Sequence, residues 1–202
     1  MKKISTILFL LSMTSILCGQ EFEISVAPTI NNVFNYSYPG VFKTKAKVGL
    51  STTLEYSIRS DKRLSLGIGL NYQYCQVEMI PGKYSSLGMP FTEKINLFSI
   101  YIRSAYNMQR GFYISLDPTY HFQDYDILTQ IIDNQTGLGL SFGVGKKFRF
   151  KERLFSNFNP DFLKIEPRLW INNIIPLRKK DQHDRLTIFG LNMGLVFRVK
   201  ND

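Results

Sequence analysis

Apolar and polar residues alternate with a period of two along most of the chain. From 42 to 58, the even positions are mainly apolar, whereas the odd positions carry lysine, serine, glycine and glutamate. Such alternation is typical of a β-strand with two chemically different faces. Eight segments follow this pattern, at 21 to 34, 42 to 58, 64 to 79, 95 to 108, 112 to 123, 136 to 150, 162 to 174 and 186 to 199. The stretches between them lack helical periodicity, so the sequence predicts an all-β fold.

The connections between these segments alternate in length. The links at 59 to 63 and 109 to 111 are short and that at 151 to 161 is moderate, whereas those at 35 to 41, 80 to 94, 124 to 135 and 175 to 185 are mostly longer. An up-and-down barrel places alternate connections at opposite ends, and transmembrane barrels have short turns at one end. The pattern therefore predicts an eight-stranded antiparallel up-and-down transmembrane β-barrel.

The direction in which each face points depends on side-chain size. Glycines such as Gly67, Gly69, Gly143 and Gly145 lie on the polar face. The interior of an eight-stranded barrel has room only for side chains, and small residues there make space for long charged ones. We therefore expect the apolar face to point outward. A soluble lipid-binding barrel is the alternative, since it has the same alternation with the apolar face inward.

Aromatic residues on the apolar face recur eight positions apart on three strands. That spacing projects to roughly 19 Å along the membrane normal, close to the height of the apolar band between two aromatic girdles. The predicted girdle residues are Phe42, Tyr56, Phe98, Tyr106, Phe112, Tyr120, Phe189 and Phe197.

Composition and the N-terminus narrow the class further. A hydrophobic share of 44% with 20% charged residues excludes a disordered chain, and no apolar run after residue 17 is long enough for a spanning helix. Lys2 and Lys3 precede an apolar stretch from 4 to 17, which predicts a signal peptide over 1–19 and a barrel domain over 20–202. Lipidation at Cys18 is the alternative. The basic residues are scattered, so we do not expect nucleic acid as a partner.

The signal peptide, the eight alternating segments and aromatic pairs such as Phe98 with Tyr106 resemble the small outer-membrane β-barrel proteins of Gram-negative bacteria, of the outer-membrane protein A and X type, with a porin-family-like β-barrel domain. The resemblance covers nearly the whole mature chain. It implies a monomer in the outer membrane, with outer-membrane lipids and an envelope protein as partners and with no cofactor. The chain departs from the family after Phe197, because these barrels commonly end on an aromatic residue.

Charged residues on the inward face predict an ion-pair network that plugs the lumen, because an unpaired buried ion costs several kcal/mol. We expect Arg198 beside Glu23 and Arg103 beside Asp117. A gated ion path is the alternative. The inward charges are Glu23, Lys47, Glu55, Arg103, Asp117, Lys147, Lys164, Glu166, Arg168 and Arg198.

Catalysis and metal binding are not expected. His121 is followed at its second position by Gln123, which breaks the His-x-Ser arrangement of the outer-membrane deacylases. The sequence thus predicts a structural or interaction protein that acts through its extracellular loops or its lipid-facing wall. The alternatives are an outer-membrane lipid-modifying enzyme and a soluble periplasmic lipid-binding barrel.

Overall fold

The computed structural model describes residues 20–34, 41–59, 63–86, 88–123, 131–150, 160–176 and 184–199. The predicted signal peptide lies outside these residues and stays a prediction. The eight predicted strands are confirmed, and β4 begins at Phe91 instead of position 95. The strands are β1 (Gln20–Phe34), β2 (Phe42–Arg59), β3 (Leu64–Pro81), β4 (Phe91–Asn107), β5 (Phe112–Gln123), β6 (Gly137–Arg149), β7 (Phe162–Pro176) and β8 (Arg185–Val199).

The strands form a closed antiparallel barrel in sequence order. Each strand pairs with its neighbours in the chain, and β1 also pairs with β8, where Phe22 lies opposite Phe197. The short connections, the start of β1 and the end of β8 lie together at what we call the turn end. The opposite end, which carries the longer connections, is the loop end. The predicted up-and-down topology is therefore confirmed.

Large apolar side chains cover the outside of the barrel over most of its height. Leu50 is 47% exposed, Ile68 55% and Phe142 48%, whereas Glu55 on the inward face is 5% exposed. The predicted orientation is confirmed, and the soluble lipid-binding barrel, with its apolar face inward, is contradicted. We call this outer surface the apolar belt; it includes Ile24, Leu54, Ile68, Ile102, Leu116, Phe142 and Met193.

Towards the loop end, the two faces of the wall exchange their chemistry. Outward-facing positions above the belt are polar: Gln76, Glu78, Lys94 and Arg185. Inward-facing positions at the same height are apolar and buried: Cys75, Val77, Met79, Ile95, Leu97, Leu186 and Ile188. The barrel thus has a belt zone, which is apolar outside and polar inside, and an upper zone with the reverse arrangement. The predicted polar interior holds in the belt zone and is wrong in the upper zone.

A β-bulge on β2 changes which residues of that strand face inward. The pairing with β3 shifts register between Ala46 and Leu50, and a slip of one residue turns side chains to the opposite face. Phe42 therefore points into the barrel, where its ring meets Phe91 edge-on with the centroids 5.7 Å apart. The prediction of Phe42 in an outer girdle was wrong, because the alternation does not continue through the bulge.

Candidate functional site

The lumen of the belt zone contains a buried ion-pair cluster centred on Arg103 of β4. Its guanidinium nitrogens contact carboxylates from three other strands, at 3.5 Å to Glu55, 3.2 Å to Asp117 and 3.2 Å to Glu166. The pairing expected between Arg103 and Asp117 is therefore present. One cation joins β2, β4, β5 and β7 across the interior.

Two further cations on β7 complete this cluster. Lys164, Glu166 and Arg168 occupy every second position of the strand, so all three side chains face inward. Lys164 contacts Glu23 and lies 3.1 Å from Glu166, while Arg168 lies 3.1 Å from Glu166 and 3.3 Å from Asp117. The carboxylate of Glu166 is thus shared by three cations, since Arg103 also contacts it.

The mouth at the turn end is organised by Glu21, which the sequence analysis did not single out. Lys147 contacts its carboxylate, and Nε of Arg198 lies 3.2 Å from Oε1. The expected pairing of Arg198 with Glu23 was wrong, because the register sets Arg198 opposite Glu21 and sets Glu23 opposite Val196. Glu21 lies two residues before Glu23 on the same face, so alternation could have identified it.

The charges that form ion pairs in the belt zone and at the turn-end mouth are balanced in number. Buried ions are retained in proteins when they are paired, since removing one partner leaves an uncompensated charge. Five acids, Glu21, Glu23, Glu55, Asp117 and Glu166, contact five cations, Arg103, Lys147, Lys164, Arg168 and Arg198. This arrangement fills the lumen with fixed ion pairs.

Aromatic rings pack among the charges because facing glycines leave room for them. The hydroxyl of Tyr101 donates a hydrogen bond of 2.8 Å to Glu55. A Cβ atom at Gly69 would come within 2.1 Å of the Tyr101 ring, and one at Gly145 within 2.2 Å of the Tyr113 hydroxyl. Inward glycine is therefore a packing requirement of the cluster.

Lys47 does not join the cluster, contrary to its predicted place there. Its side chain is 40% exposed, and its Nζ lies 3.5 Å from Glu78, which faces outward. Lys47 lies at the bulge of β2, between the paired positions Ala46 and Leu50. The bulge therefore removes this lysine from the lumen.

The upper zone is closed by a segment that folds into the barrel mouth. Ile132, in the connection between β5 and β6, is fully buried and belongs to the apolar cluster of the upper zone with Trp170 and Ile188. The sequence pattern predicts a loop in this connection, and no local signal in it indicates inward packing. In the described part of the barrel, the apolar side chain of Ile132 therefore closes the loop-end mouth.

Hydrogen bonds hold residues 132–135, which we call the stopper, against the surrounding wall. The Ile132 amide donates to Oε1 of Glu93 at 3.0 Å, and the Asp133 amide donates to Oδ2 of Asp184 at 3.2 Å. Gln135 donates through Nε2 to the carbonyl of Asp184 at 2.9 Å and accepts from the Leu186 amide at 2.9 Å. Burial raises the pKa of Glu93, which lies above the belt, and the Ile132 amide opposes that rise.

His121 lies inside the barrel with a serine beside it. The Oγ atom of Ser99 is 2.7 Å from Nδ1 of His121, and His121 is fully buried. Acyl-transfer chemistry needs a base oriented by a third group and a nucleophile within reach of the substrate. Neither side chain faces the outer surface, and the described contacts of His121 include no carboxylate.

Two rings of aromatic side chains border the apolar belt. The loop-end ring contains Tyr72, Phe98, Tyr120, Phe122 and Phe189, in which Phe98 lies opposite both Tyr72 and Phe122. The turn-end ring contains Phe22, Tyr56, Tyr106, Phe112, Phe148 and Phe197. With the exception of Phe42, the structure places each predicted girdle residue in one of these rings.

The described residues contain no helix that is long and apolar enough to cross a bilayer. Over the same part of the chain, no three His, Cys, Asp or Glu side chains form a group that could hold a metal ion.

Several solved structures of bacterial proteins are similar to this chain. The Yersinia pestis outer membrane protein Ail in a phospholipid nanodisc is 11% identical, with a TM-score of 0.44 over 88% of this chain and 99% of its own. The outer membrane protein OprG of Pseudomonas aeruginosa is 12% identical, with a TM-score of 0.46 over 90% and 97%. Neisserial surface protein A is 11% identical, with a TM-score of 0.46 over 87% and 96%. No protein-family profile and no curated protein matches the chain. The fold assignment therefore rests on the strand pairing itself.

Proposed function

We propose that this chain is an integral outer-membrane β-barrel with a plugged interior. It acts as a structural or interaction protein through its extracellular loops or its lipid-facing wall. It is a monomer that takes no cofactor, and its partners are outer-membrane lipids and an envelope protein.

The apolar belt and its two aromatic rings carry this proposal. Soluble monomers rarely expose contiguous apolar patches larger than a few hundred Å², whereas here large apolar side chains surround the whole barrel. Closure of the sheet satisfies the backbone polar groups between strands, as a bilayer requires. A belt bordered by aromatic rings is the outer surface of a transmembrane barrel.

The exchange of chemistry in the upper zone supports the same placement. A wall that rises above the bilayer has water on its outside, so polar residues belong there and apolar residues belong inside. Gln76, Glu78 and Lys94 outside, with Val77 and Ile95 inside, fit this expectation. Short turns face the periplasm in such barrels, so the loop end and its stopper face the cell exterior.

The closed lumen favours an interaction role over conduction. The ion-pair cluster fills the belt zone, and Ile132 fills the mouth above it. Surfaces available to a partner are then the loop end and the outer wall. A lipid-modifying enzyme would need Ser99 and His121 to reach a lipid, and both are buried in the lumen.

Envelope fractionation tests this proposal. We expect the full chain in the detergent-soluble outer-membrane fraction and a band that migrates differently in boiled and unboiled samples. Purified protein in a planar bilayer should give no stepwise conductance. Recovery in the detergent-free periplasmic fraction would contradict membrane insertion, and steady single-channel steps would contradict the plug.

A further inference from the structure

The bulge on β2 places lysines on the outer wall just above the apolar belt. Beyond the register shift, Lys45 lies opposite Glu78 and Lys43 lies opposite Ile80, on the outward face of β3. Lys94 on β4 is exposed one strand further on, opposite Gln76. We call Lys43, Lys45, Lys47 and Lys94 the lysine strip.

Two members of the lysine strip converge on a single oxygen atom. Nζ of Lys45 lies 3.7 Å and Nζ of Lys47 lies 3.5 Å from Oε2 of Glu78, so the two ammonium groups are at most about 7 Å apart. A phosphate group has several acceptor oxygens and is a common ligand of lysine. One phosphate can therefore accept hydrogen bonds from both lysines at this separation.

Charge at the strip strongly favours an anion. Three lysines of β2, Lys43, Lys45 and Lys47, lie on the same part of the outer wall as the carboxylate of Glu78, which Lys45 and Lys47 contact. The side chain of Lys45 is 67% exposed, so it can reach a ligand in the headgroup layer. Lysines beside a membrane surface attract anionic lipids by about fivefold in affinity each.

The surface directly below the strip is the apolar belt. Val48 on β2, Tyr72 on β3 and Phe98 on β4 are exposed there. Val48 follows Lys47 in the chain, and Phe98 lies four residues after Lys94. An amphiphile lying along this wall can place hydrocarbon on these residues while its charged group meets the strip.

We propose that the lysine strip binds a lipid whose headgroup carries a phosphate, with its acyl chains on Val48 and Tyr72. The site rests on the proposed function, because the wall meets lipid only if the barrel is embedded in a membrane. The partner class is a phosphorylated lipid, and its phosphate contacts Lys45 and Lys47 on the solvent side of the Glu78 carboxylate.

Native mass spectrometry of the full chain in neutral detergent tests the site, with dioleoyl phosphatidic acid as the probe and phosphatidylcholine as the neutral reference. The wild-type protein should retain phosphatidic acid in preference to phosphatidylcholine. The combined variant Lys43→Gln, Lys45→Gln, Lys47→Gln should bind phosphatidic acid on the order of 100-fold more weakly. Glu78→Gln should bind it roughly fivefold more tightly, because a competing carboxylate is removed.

A matched control removes three basic residues from the opposite rim, as Arg63→Gln, Lys146→Gln, Arg149→Gln. The strip variant should lose more affinity for phosphatidic acid than this control, because Lys45 and Lys47 are proposed to hold one phosphate together. Equal losses in both triple variants would overturn the site, as would weaker binding by Glu78→Gln. Displacement by glycerol 3-phosphate at the same molar concentration would also overturn it, since the acyl chains would then add nothing.

Vesicle flotation separates failure of this site from failure of the proposed function. Wild-type protein that does not float with phosphatidylcholine vesicles contradicts membrane insertion. Protein that floats, but retains phosphatidic acid no better than phosphatidylcholine, contradicts the lysine strip alone.

Discussion

Replacement of Arg103 by methionine tests the ion-pair plug directly. The substitution keeps most of the side-chain volume but leaves Glu55, Asp117 and Glu166 without the cation that contacts all three. Removing one partner from a buried pair costs about 3–5 kcal/mol, because the remaining charge stays buried. We therefore expect Arg103→Met to lower the free energy of unfolding by at least that amount.

Urea unfolding in phosphatidylcholine vesicles provides the measurement. The single tryptophan, Trp170, is buried in the lumen beside Arg168, so its fluorescence reports loss of the interior. Lys45→Met is the matched control, since it removes an exposed cation 3.7 Å from Glu78. That change should cost about 0–1 kcal/mol.

A second substitution shows whether the cost arises from uncompensated charge. Adding Glu166→Met to Arg103→Met removes one of the carboxylates that Arg103 no longer pairs. The double variant should therefore be more stable, by about 0.5–3 kcal/mol, than the sum of the two single substitutions predicts. The reasoning would be refuted by an unfolding free energy of Arg103→Met that lies within about 1 kcal/mol of the value for the Lys45→Met control. A strictly additive double variant would equally refute the reasoning.

Two further substitutions test the packing and the stopper. Gly69→Leu should destabilise the barrel by several kcal/mol in the same urea assay, because its Cβ would lie 2.1 Å from the Tyr101 ring, whereas Gly88→Leu, with open space around its Cβ, should be neutral. Equal unfolding midpoints for the two glycine variants would contradict the packing argument. Ile132→Ala should increase proteinase K cleavage between β5 and β6 in inserted protein and lower the free energy of unfolding by about 2–5 kcal/mol, because it removes a fully buried side chain from the apolar cluster. Unchanged cleavage would show that Ile132 does not hold the mouth closed.

Strand positions and orientation in the belt zone could be predicted because one physical rule decides them there. The side-chain period of a strand is two, and lipid outside with ions inside gives the two faces opposite composition. Leu54 and Ile68 outside and Glu55 and Glu166 inside all follow from that rule.

The upper zone was harder because the solvent outside the wall changes along each strand. On β3 the polar residues Gln76 and Glu78 continue the outward parity of the apolar residues below them. Parity therefore gives their orientation, but it does not predict that the inward face becomes apolar at this height. The apolar run of Cys75, Val77 and Met79 on the inward face was the available signal. In the proposed placement, it indicates where the wall leaves the hydrocarbon.

Register was the other source of error. The bulge on β2 turns Phe42 inward and places Lys47 on the outer wall. It arises from how β2 pairs with β3, which the alternation within a single strand does not show. The partner of Arg198 was missed for the same reason, because closure of β1 on β8 sets which glutamate it meets. Pairing across strands is a tertiary property that local periodicity does not determine.

Spin-label accessibility along β3 tests the central claim most directly, namely that the wall faces lipid in the belt zone and water above it. Labels are placed by cysteine at Ile68, Val77 and Glu78 in a Cys75→Ala background, and the protein is inserted in phosphatidylcholine vesicles. We predict that the Ile68 label collides with oxygen and the Glu78 label with a water-soluble nickel chelate, while the Val77 label collides with neither. Nickel access at Ile68 together with oxygen access at Val77 would contradict the account.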